Sequence, residues 1–191
     1  MKKSLKVLTL SFLSFVFSVS LATVPAFAKT PNRYETPEEI CKLIGEGCSV
    51  SGEEINLSSS DLIELNGPET GVYFYPSKLT INLYSPLKIN TYVGIVGDIV
   101  INDLTDSPEP ALIADDEELG LVFGAGGNIT LNNLSASVSD GLILFAFDSD
   151  SKVEVNGGNF KGGAIFALNS NQELTINGGT FEAKNSVIAI D

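Results

Sequence analysis

The chain contains no histidine, a single arginine (Arg33) and only two cysteines. Without histidine there is no imidazole metal ligand, no Ser-His-Asp or Cys-His nucleophile system, and no imidazole switch near neutral pH. Bases of every kind are scarce. Lys and Arg total 11 against 24 Asp and Glu in 191 residues, a formal net charge of −13. That acid excess repels phosphate backbones and argues against nucleic acid as a partner. What the chain has in plenty is apolar. Hydrophobic residues make up 43% and charged residues 18%, which supports a packed core rather than a disordered acidic tail. The length suits one domain with at most a small appendage.

The first 28 residues read as an address. Lys2, Lys3 and Lys6 precede an apolar stretch from Val7 to about Val24, and Ala26-Phe27-Ala28 puts small residues where a signal peptidase reads. The stretch is shorter and richer in serine than the run of about 20 apolar residues that spans a bilayer. Residues 1–28 are therefore expected to be a cleaved export signal, similar to bacterial ones, leaving a mature chain that starts at Lys29. The product would be secreted, or held at the cell surface or in the periplasm. No second long apolar run follows, so no membrane-spanning segment is expected after cleavage. Cleavage removes three lysines and no acid; 8 bases then face 24 acids, a net charge near −16.

Residues 29–52 read as a cap with a cysteine loop. Cys41 and Cys48 are too far apart for a Cys-x-x-Cys motif, and no other soft ligand is present for zinc. Export favours a local disulfide between them; two free, buried thiols are the alternative. Thr36 suits a helix N-cap, Pro37 the first helical position, and Glu39 completes a capping box. Ile40, Leu43 and Ile44 give that helix one apolar face, and Gly45 or Gly47 stops it. A short amphipathic helix ahead of strands suits covering the end of a sheet.

From about Ile55 the chain repeats itself over residues 53–191. Leu79-Thr80-Ile81-Asn82 recurs as Ile99-Val100-Ile101-Asn102, Ile129-Thr130-Leu131-Asn132, Val153-Glu154-Val155-Asn156 and Leu174-Thr175-Ile176-Asn177. Ile63–Asn66 and Leu87–Asn90 carry the same signature, and Glu54-Ile55-Asn56 part of it. A second row groups Leu112–Asp115, Phe145–Asp148, Phe166–Asn169 and Ile188–Asp191. A repeat of about 21 residues with several short strands matches one coil of a parallel β-helix. Asn82, Asn102, Asn132, Asn156 and Asn177 would then stack about 4.8 Å apart as an amide ladder. An antiparallel sandwich also has short strands and frequent turns, but it does not require the same Asn in every unit. The expected fold is all-β: a right-handed parallel β-helix of about five or six coils behind a short N-terminal capping helix.

Residues 79–191 resemble the right-handed parallel β-helix, or pectin-lyase-like, superfamily. Gly162-Gly163-Ala164-Ile165 and Phe166-Ala167-Leu168-Asn169 resemble the repeat tetrapeptides of chlamydial polymorphic outer membrane proteins and related autotransporter passengers. Many relatives so implied cleave polysaccharides. Their galacturonan hydrolases use Asn-x-Asp, Asp-Asp, Gly-His-Gly and Arg-x-Lys; here Asp115-Asp116 matches one, while Gly-His-Gly and Arg-x-Lys are absent. Their lyases pair a calcium site with an Arg or Lys base, yet no base occurs between Lys88 and Lys152.

The acidic runs Asp115–Glu118 and Asp148-Ser149-Asp150 read first as solvated turns; the alternative is a calcium ion held by Asp115, Asp116, Asp148 and Asp150. No other cofactor is expected. Tyr73, Phe74, Tyr75, Tyr84 and Tyr92 cluster in the first coils, either as core or as an outer strip that stacks on sugar rings. The function expected is non-catalytic: an exported structural or adhesive module that binds carbohydrate or a host or cell-surface protein. One alternative is a calcium-assisted protein that binds or cleaves polysaccharide; another is the shortened remnant of a longer passenger. An uncapped last coil would expose strand edges and invite end-to-end self-association.

Overall fold

The computed structural model describes residues 32–68, 70–114, 121–146, 150–168 and 172–190. A cap of β1 (Arg33–Tyr34), α1 (Pro37–Ile44) and β2 (Cys48–Ser51) leads into stacked coils. The first coil holds β3 (Glu54–Leu57), β4 (Ile63–Leu65) and β5 (Val72–Phe74), and the second β6 (Lys78–Leu83), β7 (Leu87–Ile89) and β8 (Val93–Ile95). The third holds β9 (Asp98–Asp103), β10 (Leu112–Ala114) and β11 (Leu121–Ala125), and the fourth β12 (Ile129–Asn132), β13 (Ser135–Val138) and β14 (Leu142–Ala146). β15 (Lys152–Leu168) and β16 (Glu173–Ile190) each run through a whole coil as one continuous strand, with register shifts where they bend. The result is a β-solenoid of six stacked rungs, about five turns from the first to the last.

Three parallel faces follow from the pairing. The first stacks β3, β6, β9, β12 and the starts of β15 and β16. The second stacks β4, β7, β10, β13 and the middles of β15 and β16. The third stacks β5, β8, β11, β14 and their ends. Period-2 alternation sends every second residue inward. Ile55, Ile81, Ile101, Leu131 and Val155 therefore share one register row and are all buried. On the second face Phe160 lies under Phe181, rings parallel within 4° and 5.2 Å apart. Val72, Val93, Leu144 and Phe166 bring the third face to the same core.

One expected grouping is corrected. Leu112–Ala114 does not share a row with Phe145-Ala146, Phe166–Leu168 and Ile188–Ile190. It pairs with β7 and β13 on the second face, whereas the others lie on the third. The cause is corner length. The chain runs from Asp103 to Leu112 between β9 and β10, but only from Asn132 to Ser135 between β12 and β13. Equal spacing along the chain is then not equal position around the coil.

Each face of the first coil has its own cover. β2 adds antiparallel to β3 on the first face, α1 packs on β4 of the second, and β1 pairs with β5 on the third. The α1 start is a full capping box: Glu39 N–H donates to Thr36 Oγ1, and Thr36 N–H to the Glu39 carboxylate, both at 3.3 Å. Ile40 is fully buried, and Leu43 and Ile44 are half-buried against the same core. Cys41 of α1 is disulfide-bonded to Cys48 of β2. So short a loop stabilises by roughly 2–3 kcal/mol in the chain-entropy picture.

The last coil has no such cover among the described residues. Ile176 is 39% and Ile188 41% exposed, although their register partners Val155 and Phe166 are buried. Ile101→Ala, in the middle of an inward row, is expected to lower stability by about 2–5 kcal/mol. Urea unfolding measures it; a loss below about 1 kcal/mol would contradict the packing described.

Candidate functional site

Outside the core, the first structure the repeat builds is the amide ladder. Asn82 Nδ2 donates to Asn56 Oδ1 at 2.9 Å, Asn102 to Asn82 at 2.7 Å and Asn132 to Asn102 at 2.7 Å. Asn156 donates to Asn132 at 3.0 Å and Asn177 to Asn156 at 2.7 Å. Parallel stacking makes this possible: Asn56, Asn82, Asn102, Asn132 and Asn156 stand in one register row, and Asn177 reaches Asn156 across a register shift that pairs Asn156 with Gly178. Asn66 and Asn90, on the second face, form a separate pair at 2.8 Å. Below the turns the ladder passes Gly158, at φ 107°, where an added Cβ would stand 2.1 Å from the Leu134 carbonyl oxygen. Only glycine fits that approach.

The acids singled out for calcium fall mostly elsewhere. Asp115, Asp116 and Asp148 lie outside the described residues; Asp150 is exposed in the turn ahead of β15. Among the described residues no three His, Cys, Asp or Glu side chains group as a metal set, and no helix is long and apolar enough to cross a membrane.

The tyrosines separate by role. Phe74 is buried in the core, and Tyr84 is half exposed on its own. Tyr73, Tyr75 and Tyr92 gather on the outside of the third face. Tyr73 Cδ1 stands 2.6 Å from where a Cβ on Gly94 would be, so its ring lies against the bare backbone of the next coil. Its hydroxyl donates to the Thr70 carbonyl at 3.3 Å. Tyr92 meets Tyr73 edge-on, with ring centres 5.7 Å apart. The Arg33 guanidinium sits 4.0 Å from the centre of the Tyr75 ring and bonds Glu35 at 2.9 Å. Burial, then the neighbouring Tyr73 and Tyr75 hydroxyls, push the Tyr92 phenol up to about 12.

Arg33 joins this group through β1, which pairs Arg33 with Tyr73. The sequence placed Arg33 ahead of the cap and missed the contact, since nothing local announces a two-residue strand that pairs 40 positions away. One further feature has a sequence trace. β5, β8, β11, β14, Ala164–Leu168 of β15 and Ser186–Ile190 of β16 contain no Asp, Glu, Lys or Arg. Within the coils the third face therefore carries no charge in a chain of −13, and its charges come from the cap, where Arg33 of β1 bonds Glu35. Coil charges lie on the other two faces, as in Lys152–Glu173 at 3.1 Å and Lys161–Glu182 at 3.3 Å. At the corner between the second and third faces Lys184 crosses a recess of about 490 Å³ to reach Asp140, two coils below. Gly162, in the coil between, leaves that recess open.

No protein-family model matches the chain, and neither does any curated protein or solved structure. The fold and the placement of side chains thus carry the functional reading.

Two outcomes are expected. Asn102→Ala breaks two half-buried amide bonds in mid-ladder and should cost about 1–3 kcal/mol, more than Asn177→Ala at the end, whose bonds to Asn156 and Glu154 are exposed to water; equal losses in urea unfolding would count against a continuous ladder. Tyr92 holds its proton more tightly folded than unfolded, so its contribution to stability is fully present below about pH 10 and is lost as pH rises toward 12. Tyr92→Phe should flatten that fall; an unchanged alkaline unfolding curve would contradict the assignment.

Proposed function

We propose that this is an exported, non-catalytic binding module, secreted or held at the cell surface, that attaches to carbohydrate through its third face. The observation that carries the reading is a face whose coil strands hold no charge, with an aromatic platform at one end where the one ion pair is Arg33–Glu35 of the cap. The Tyr73 ring rests on the backbone at Gly94, which leaves its outer side for a sugar ring to stack upon. Away from the cap, where Arg33 is the row's one charged member, the same register row continues as Gly94, Gly124, Phe145, Ala167 and Ala189, with no ionised group to desolvate. The rigid, stacked scaffold supports adhesion, because a long ligand meets positions repeated at rung spacing, about 4.8 Å.

The resemblance of Gly162–Ile165 and Phe166–Asn169 to autotransporter passenger repeats favours the same reading, within the pectin-lyase-like superfamily. The residues with which cutting members of that superfamily work, Gly-His-Gly and Arg-x-Lys, are not in the chain. Export rests on residues 1–28.

The test uses the exported product, whose amino terminus should read Lys29 by mass spectrometry. Applied to a panel of plant and bacterial polysaccharides, it should bind at least one without releasing sugars. Tyr73→Ala should weaken that binding about tenfold, the equivalent of one lost stacked ring. Turnover of a polysaccharide, or equal binding by Tyr73→Ala, would count against the proposal.

A further inference from the structure

The corner between the first and second faces changes length along the stack. In the third coil it runs from Leu104 to Ala111; in the fourth it is only Asn133 and Leu134. The next two coils turn there at Gly157-Gly158 and Gly178-Gly179, which carry no side chains. The long corner therefore stands as a ledge beside the second face of the later coils. Its base is pinned. Asp103 Oδ1 accepts from the Thr105 N–H at 3.0 Å and the Thr105 hydroxyl at 2.7 Å, and its Oδ2 from the Ser135 N–H of the fourth coil at 2.9 Å.

At the foot of the ledge lies a groove of about 330 Å³, with Pro110 on one side. Its floor is the outer side of the second face: Ser135, Asn159 and Thr180 in one register row, Ser137, Lys161 and Glu182 in another. It opens into the recess of about 490 Å³ that Lys184 crosses to reach Asp140, and both are lined by Ser137, Lys161 and Glu182. The groove is on the outside of the stack, so a further coil laid on β16 would lengthen it and not fill it.

Chemistry decides what fits. Lys161 is paired with Glu182 and Lys184 with Asp140, so these groups of both signs leave the groove no net charge. An ammonium keeps donors to spare after one ion pair, a carboxylate keeps acceptors, and the Ser135 and Ser137 hydroxyls do both. An anion there meets Glu182 and Asp140, and a cation meets Lys161 and Lys184. An uncharged polyol can bond all of these groups, because each of its hydroxyls donates and accepts. Its C–H edge has Pro110 to rest against. We propose that the groove is a carbohydrate site for an uncharged oligosaccharide, on a different face from the Tyr73 platform. The pinned ledge shapes it before a ligand arrives, which keeps the cost of ordering low. The groove stands independently of the third-face reading; together the two would give one molecule two grips on a glycan-coated surface.

The test is binding of cellotriose, maltotriose and xylotriose to the mature protein, followed by calorimetry and amide NMR, with trigalacturonate and spermidine as charged probes. At least one of the neutral sugars is expected to bind and to shift the amides of Ser135–Ser139 and Asn159–Lys161. Ser137→Ile fills the groove at a register position where Ile113 already stands one coil below, and should weaken that binding at least about tenfold. Lys161→Met keeps the apolar stem but removes the donor, and should weaken it about fivefold. Tyr73→Ala should leave it unchanged, so failure at one face is told apart from failure at the other. No shift at these amides with any of the neutral sugars, equal binding by Ser137→Ile, or binding confined to trigalacturonate or spermidine would overturn the inference. Circular dichroism checks each variant, and if Ser137→Ile misfolds the wild-type shift map and Lys161→Met decide.

Discussion

Vertical register is the constraint from which the rest of this molecule follows. Each coil must place its residues directly over those of the coil below, or apolar rows, backbone bonds and amide pairs all fail together. The asparagine ladder enforces this more sharply than the core does. An isoleucine row tolerates leucine or valine, as Leu131 and Val155 show. An amide bond of 2.7–3.0 Å requires an asparagine within reach on the next coil, whether in strict register or, as at Asn177, one place from the Gly178 that pairs with Asn156. The ladder also satisfies polar groups that parallel stacking would otherwise crowd together without partners.

That is why so much of the fold was legible in the sequence. A ladder needs the same residue once per coil, so Asn82, Asn102, Asn132, Asn156 and Asn177 marked the repeat directly. The helix was legible for a similar reason: Thr36, Pro37 and Glu39 each act within a few residues of themselves. Legibility stopped where position depends on the distance around the coil. The long corner after Asp103 hid the face to which Leu112–Ala114 belongs. β1 gave no signal either, because its partner β5 supplies nearly all the order it has. In the candidate site the tyrosines were visible as a cluster, but not their division into core and surface. Phe74 and Tyr73 are adjacent in the chain and face opposite ways, and only the phase of β5 tells which is which.

Charge placement turns a compositional fact into a directional one. The acid excess noted first in the sequence is not spread evenly around the prism. Two faces carry it, in part as ion pairs between successive coils, and the third has no acid or base in its coil strands, only Arg33 of the cap beside its first rung. Exposed pairs of that sort contribute little stability, at most about 1 kcal/mol each. Their larger effect is on approach: a partner without positive charge meets the least resistance along the third face.

The threefold cover at one end has a consequence for how such a chain can vary. Coils touch only their neighbours, so each adds nearly the same increment to the stack. A cap that engages the first coil alone takes no account of how many follow. Gain or loss of one repeat would lengthen or shorten the solenoid by a single rung, about 4.8 Å, with its cross-section unchanged. The molecule is in this sense a ruler, with its zero mark at the disulfide and its reach written in multiples of one asparagine.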